Sequence, residues 1–212
     1  MSEIYFVSGI DTDAGKSYAT GLLARELMNQ GKKVITQKFI QTGNREWSED
    51  IEVHRRIMGI GMLPEDLDHT TAPVIFSYPA SAQLAARLDN REIDLDVIDR
   101  ATRRLAERYD VVFIEGAGGL MVPITDDFMA IDYAATRRLP VILVTNGRLG
   151  SINHTILSLE AIASRGLRLA RVVYNRHFDT DPTIAEDTRG FISRYLGRHF
   201  PGVPMTEIPG VD

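Results

Sequence analysis

The first thirty residues constrain the fold more than any other part of the chain. An apolar, β-prone run from Ile4 to Ser8 leads into Gly9-Ile-Asp-Thr-Asp-Ala-Gly15-Lys16-Ser17. A helical pattern follows at once, with Ala19, Leu22, Leu23 and Leu27 on one face and Gly31 as a stop. Strand, glycine-rich turn and helix N-terminus in that order form a phosphate-binding loop. Glycine lets the backbone wrap closely around an anion. The free N–H groups and the helix dipole supply positive potential. Lys16 would reach the β and γ phosphates, and the Ser17 hydroxyl would ligate magnesium. Five residues separate Gly9 from Gly15, one more than the usual loop has. A chance Gly-Lys-Ser at a helix start ranks below the phosphate site, because strand, turn and helix are all in place.

A helix packed directly behind a strand needs a sheet to lie on, and the rest of the chain provides one. Lys33 to Gln37, Val111 to Glu115, Val141 to Thr145 and Leu169 to Tyr174 read as further strands, apolar on both faces as in a parallel sheet covered by helices. Helical patterns run from about Leu95 to Arg108, Phe128 to Arg138, Ile152 to Arg165 and Thr183 to Leu196. The alternation predicts an α/β fold, a doubly wound and mostly parallel sheet flanked by helices, in one domain over 1–212. Between Gln41 and Asn90 the pattern is less regular. One short helix around Ile51 to Met58 and a long excursion are expected there, and such excursions are often functional. In sheets of this kind ligands bind beyond the carboxyl ends of the strands.

Bulk properties remove several function classes. The 24 Lys and Arg against 29 Asp and Glu give a net charge of −5, so no general nucleic-acid binder is expected. With no cysteine, a thiolate nucleophile, a disulfide framework and a cysteine metal site are impossible. No apolar run approaches the roughly 20 residues of a membrane span. The opening residues read as a strand rather than a signal peptide, and a cytoplasmic location is the expectation.

The strand ends carry the remaining chemistry. The strand from Val111 delivers Glu115 to the sheet edge, followed by Gly116-Ala117-Gly118-Gly119. A phosphate-loop protein places its magnesium-holding acid there. Lys38 ends the second strand and puts a further cation near the loop, with a solvated lysine as the even alternative. Asp50 opens a helix, where the plain reading is an N-cap. The five histidines, 54, 69, 154, 177 and 199, show no metal-ligand spacing and read as structural or surface residues. Arg103, Arg104 and Arg108 read as a solvated helix face.

Taken together, these residues resemble the dethiobiotin synthetase family. The loop from Gly9 to Ser17, with its longer spacing, is similar to that family's Gly-Thr-Asp-Thr-x-x-Gly-Lys-Thr. Glu115-Gly-Ala-Gly-Gly119, Leu139-Pro-Val-Ile-Leu-Val144 and Leu149-Gly-Ser-Ile-Asn-His154 resemble its later blocks. The resemblance implies ATP as co-substrate and Mg2+ held by Ser17, Asp50 and Glu115. It implies that Asp13, Ala14, Gly15, Lys16, Tyr18, Gly116, Ala117, Gly118 and Asn175 border the nucleotide. Thr12, Lys16, Lys38 and Thr42 would surround the carbamate and reacting amines. A homodimer is implied, in which Gly150, Ser151, Ile152 and Asn153 reach into the partner's site to hold the substrate carboxylate. Arg176 stands where the family often has Asp, and the chain closes at Asp212 where longer relatives continue. Reduced selectivity for adenine is expected from both.

The implied reaction takes 7,8-diaminononanoate, CO2 and ATP through a carbamate and a carbamic-phosphoric anhydride to a cyclic urea. No residue suggests itself as a general base. The main rival reading is a partition or positioning ATPase switch that acts through a protein partner. Such switches carry a lysine four residues before the Gly of Gly-Lys, and Asp11 occupies that position here. A second rival is a cobyrinate-amidating ligase, which usually brings a glutaminase domain with a cysteine nucleophile.

Overall fold

A computed structural model describes residues 2–210. The ends of the expected domain, Met1 and residues 211–212, lie outside the described residues. Six strands form one sheet: β1 (Glu3–Gly9), β2 (Val34–Lys38), β5 (Val111–Gly119), β6 (Val141–Asn146), β7 (Leu169–Asn175) and β8 (Met205–Ile208). Their order across the sheet is β2-β5-β1-β6-β7-β8, and every neighbouring pair is parallel. Parallel neighbours require crossovers, and the helices supply them. These are α1 (Lys16–Asn29), α2 (Glu49–Met58), α5 (Leu95–Ala106), α6 (Ala130–Thr136), α7 (Ser151–Ser164) and α8 (Pro182–His199).

All of β2 and β6 is buried, which explains why their first residues, Val34-Ile35 and Val141-Ile-Leu-Val144, are apolar without alternation, while polar residues gather at their carboxyl ends. One core joins Phe6, Ile35, Phe39, Ile114 and Tyr133 to Ile98 and Leu105 of α5. On the opposite face Val7, Val34, Phe113 and Val144 pack with Ala19 and Leu23 of α1 and Met58 of α2. Each such fully buried large side chain contributes roughly 1.5–3 kcal/mol of burial free energy. Helices α1 and α2 approach closely at Gly21, where a Cβ would lie 2.8 Å from that of Ile57. Beyond α1, Gly31 takes φ 85° and the Lys32 N–H bonds the Leu27 carbonyl at 3.1 Å, the expected stop.

The middle segment is more ordered than expected. Beyond α2 it holds α3 (Pro64–Leu67), α4 (Ala82–Leu88) and a separate parallel pair, β3 (Gln41–Thr42) with β4 (Ile75–Phe76). Elements of two to seven residues are too short to show a period. Strand β8 was also not foreseen. It is an edge strand of sequence Met-Thr-Glu-Ile, only part of which is buried. Strand β5 runs on through the glycines, and Gly119 pairs with Gly9 after a register shift. These extensions bring the carboxyl ends of β1, β2 and β5 side by side, with Lys38 opposite Glu115. Among the described residues no helix is long and apolar enough to cross a membrane.

Candidate functional site

The phosphate loop sits at the end of β1 and opens α1. Gly9 is needed because a Cβ would meet the Asp11 carbonyl oxygen at 2.8 Å. Gly15 takes φ 91°, and a Cβ on it would lie 2.0 Å from Asn175 Nδ2. No side chain caps α1, so its first N–H groups are left to an anion. Asp13 holds a left-handed φ of 54°, a costly conformation that shapes the loop. The buried Lys16 turns its ammonium onto the Asp11 carbonyl at 3.1 Å. Burial, with Lys38 nearby, pushes the Lys16 pKa down.

Beside the loop, oxygens from three elements converge. Ser17 Oγ lies 2.9 Å from Asp50 Oδ1 and 3.0 Å from Glu115 Oε1. Lys38 Nζ contacts Asp50 Oδ2 at 2.5 Å, donates to Glu115 Oε1 at 2.8 Å and to the Gly116 carbonyl at 3.3 Å. Burial alone would raise the Glu115 pKa, but Lys38 and His54 outweigh it and hold the group well below the usual carboxylate range. Burial likewise works against charge on Lys38, and Glu115 and Asp50 reverse it, leaving the ammonium stabilised.

Hard oxygens from a hydroxyl and two carboxylates suit magnesium, which keeps waters and phosphate oxygens in its other positions. No group of three or more His, Cys, Asp or Glu side chains that could hold a metal occurs among the described residues. A divalent ion here would therefore need the phosphates to complete its shell. Asp50 is not the N-cap. Ser48 caps α2 by accepting from the Ile51 N–H at 3.2 Å, and Asp50 in the first turn is left to face Ser17 and Lys38.

A cavity of about 390 Å³ opens over this array. Thr12, Asp13, Gly15, Lys16, Ser17, Tyr18, Lys38, Thr42, Asp50, Glu115, Ala117 and Gly118 all line it, joined by Ile40 and Gln41, which the sequence had not singled out. Ala14 lies buried beneath the loop, and Gly116 contributes its carbonyl to Lys38. Asn175 supports the loop from behind: Nδ2 donates to the Ala14 carbonyl at 3.3 Å, and Oδ1 accepts the His177 N–H at 3.0 Å. Gly150, Ser151, Ile152 and Asn153 do not line this cavity. They form the start of α7, where Ser151 Oγ donates to Asn146 Oδ1 at 2.5 Å. Arg176 faces Asp179 and Glu207 at 3.8 and 3.9 Å.

One member of the array was missed. His54 is fully buried, and its Nε2 lies 2.5 Å from Glu115 Oε2. The signal was present in the sequence, since position 54 is one helical turn beyond Asp50 and shares its face.

A protein family described as AAA domain matches residues 3–206. The chain is 47% identical over 201 residues to an ATP-dependent dethiobiotin synthetase of Pasteurella multocida, covering 95% of this chain and 94% of that one. It is 48% identical over 207 residues to the ATP-dependent dethiobiotin synthetase of Chlorobaculum tepidum, covering 97% and 87%. The chain belongs to the dethiobiotin synthetase family. More distant solved structures share the fold with this family. Cobyrinic acid a,c-diamide synthase of Mycobacterium smegmatis superposes with TM-score 0.58 at 15% identity, covering all of this chain and 88% of that one. A ParA family ATPase of Chlorobium tepidum gives 0.57 at 16%, covering 100% and 86%. These likenesses speak to architecture alone. The family match and Asp11 together leave the partition-switch reading without support.

Proposed function

We propose that this chain closes the cyclic urea of dethiobiotin from 7,8-diaminononanoate, CO2 and Mg-ATP, as an ATP-dependent cyclo-ligase of biotin biosynthesis. The observation that carries this reading is the shared cavity. The Lys16 and Lys38 ammoniums and the Ser17, Asp50 and Glu115 oxygens all border it, with Thr12 and Thr42 at its wall.

In the first step a neutral amine of the substrate attacks CO2 and loses a proton, giving a carbamate. A carbamate oxygen then attacks the γ phosphorus and ADP departs. The second amine attacks the carbonyl carbon of the mixed anhydride, expels phosphate and loses a proton as the ring closes. Carbamate and triphosphate repel each other, and Lys16 and Lys38 lower that repulsion and stabilise the charge spread during transfer. Magnesium held by Ser17, Asp50 and Glu115 would neutralise charge on the phosphate oxygens. An alkylamine with an ordinary pKa of about 10 is mostly charged at neutral pH. The two ammoniums favour its neutral, nucleophilic form. Ring closure is intramolecular and gains from proximity.

The start of α7 supports a homodimer with the site at its interface. Gly150 to Asn153 stand outside their own cavity, and Leu149 beside them is 88% exposed. Helix N-terminal amides presented this way attract a carboxylate. The net charge of −5 supports action without nucleic acid. Phosphate release measured with and without the diamine and bicarbonate tests the reading. Release that needs both is expected. Release indifferent to the diamine, or stimulated by DNA, would sink it.

A further inference from the structure

Glu115 carries more partners than a strand end supplies. Its carboxylate is wholly buried and its two oxygens face different groups. Oε1 accepts from Lys38 Nζ at 2.8 Å and lies 3.0 Å from Ser17 Oγ, whereas Oε2 lies 2.5 Å from His54 Nε2. Behind His54 runs a chain of buried polar groups. His54 Nδ1 is 3.0 Å from Thr36 Oγ1, and Arg55 Nη1 donates to that same hydroxyl at 2.8 Å. Arg55 forks onto Asp66 at 2.9 and 2.7 Å, and Thr71 Oγ1 donates to Asp66 at 2.7 Å. The Thr71 carbonyl then accepts the Lys38 N–H at 2.7 Å. The circuit starts at Glu115 and returns to Lys38 through α2, α3 and the segment after it.

An inventory of donors fixes the direction of the bond to Glu115. A carboxylate only accepts, so His54 donates from Nε2. The Thr36 hydroxyl accepts from Arg55 Nη1 at 2.8 Å and meets His54 Nδ1 at 3.0 Å, which holds the ring in place from its far side. The ring proton on Nε2 is the one that engages Glu115. The terminal torsion of a glutamate is otherwise broad and permits the carboxylate to turn. With Oε2 engaged, Oε1 is the oxygen left toward Ser17.

We propose that His54 is a positioning residue for the phosphoryl-transfer site: it engages Glu115 Oε2 so that Oε1 is the oxygen presented to Ser17 and to the nucleotide-bound cation. This inference rests on the magnesium site of the proposed function. Outer partners that orient a metal-binding carboxylate are worth about 10–100-fold in metal affinity or activity. His54 is fully buried and does not line the cavity, so its effect is confined to the cation and to turnover.

The test uses the full chain with saturating ADP, and Mn2+ as the probe, with free Mn2+ read by electron paramagnetic resonance. His54→Phe keeps a ring but removes the donor, and is expected to weaken Mn2+ binding about 10–100-fold. Its ADP affinity in EDTA should stay within about twofold of the parent, and excess Mg2+ should restore much of kcat. His54→Gln places an amide nitrogen near the Nε2 position and should recover most of the Mn2+ affinity. His54→Asn is shorter, falls near Nδ1 and should not. Mn2+ affinity of His54→Phe within about threefold of the parent would overturn the inference. If the Phe variant does not fold, the amide pair decides, and equal Mn2+ affinity of Gln and Asn overturns it. An unmodified chain that binds no Mn2+ with ADP overturns the metal site itself, and this inference with it.

Discussion

Replacing Lys38 by glutamine removes the ammonium that Asp50 and Glu115 share. Its nitrogen stands 2.5 Å from Asp50 Oδ2, 2.8 Å from Glu115 Oε1 and 3.3 Å from the Gly116 carbonyl. A glutamine amide is uncharged and ends closer to the backbone, so it cannot serve all three. Breaking a buried ion pair by removing one partner costs about 3–5 kcal/mol. The lower end applies here, because the Asp50 side chain is 26% exposed and Glu115 keeps His54. For a chain of this size about 3 kcal/mol lowers Tm by roughly 6–12 °C. The chemical loss is separate. Removing one donor aimed at developing charge costs about 10²–10³-fold in kcat, or roughly 2.7–4 kcal/mol. In the proposed function ATP is held chiefly by the loop amides and Lys16, so its KM should move by less than about threefold. The assay is the initial rate of phosphate release with diamine and bicarbonate, run well below the lowered Tm, with ATP and Mg2+ varied independently. A folded Lys38→Gln protein with kcat within about threefold of the parent, or with its whole loss in the KM for ATP, would refute the reasoning.

Three further outcomes are expected. Gly15→Ala places a Cβ 2.0 Å from Asn175 Nδ2 at φ 91°, so backbone strain of about 1–2 kcal/mol and a lost hydrogen bond of about 1 kcal/mol should appear in melting and weaken nucleotide binding by calorimetry. Unchanged values for both would contradict the loop geometry. Glu115 and Asp66 are each pushed up by burial but held below their ordinary values by their partners, His54 and Lys38 for the first and Arg55 for the second. Their stabilisation is complete above the unfolded carboxylate values of about 4 and is lost as acid protonates them, so urea midpoints should be level above about pH 5 and fall below about pH 4. Midpoints that held or rose into acid would count against those ion pairs. Asn175 spends both ends of its amide on Ala14 and His177, so CTP and GTP should support turnover nearer to ATP than in longer relatives. Equal discrimination in the two would remove that expectation.

Much of the sheet was legible because strands buried on both faces run apolar without alternation, as Val141 to Val144 of β6 do. The phosphate loop was legible because glycine and lysine at that spacing serve few other purposes. Glu115 and Lys38 were readable as strand ends, and their meeting at 2.8 Å follows from the strand order β2-β5, which no local pattern encodes. Asp50 shows the limit of local rules. Its position suits an N-cap, yet Ser48 two residues earlier takes that role. His54 was passed over because metal spacing was sought rather than helical spacing from Asp50. The small β3-β4 pair and β8 escaped because two to four residues carry no period and their pairing is tertiary. Ser151 was expected to meet substrate, and its hydroxyl is instead committed to Asn146. The Ser151 N–H is also engaged, by the Arg148 carbonyl at 3.0 Å, so in the proposed dimer the amides of Ile152 and Asn153 would be the ones offered to a carboxylate.

The central step of the proposed reaction is transfer of a phosphoryl group to a carbamate oxygen inside the cavity over Glu115 and Lys38. Freshly dissolved C18O2 supplied with the diamine and unlabelled Mg-ATP follows that oxygen directly. One 18O should pass to inorganic phosphate and one remain in the urea carbonyl for each ring closed, read by 31P isotope shift and mass spectrometry. Phosphate free of label while the ring still closes would mean that the carbamate oxygen never met the γ phosphorus.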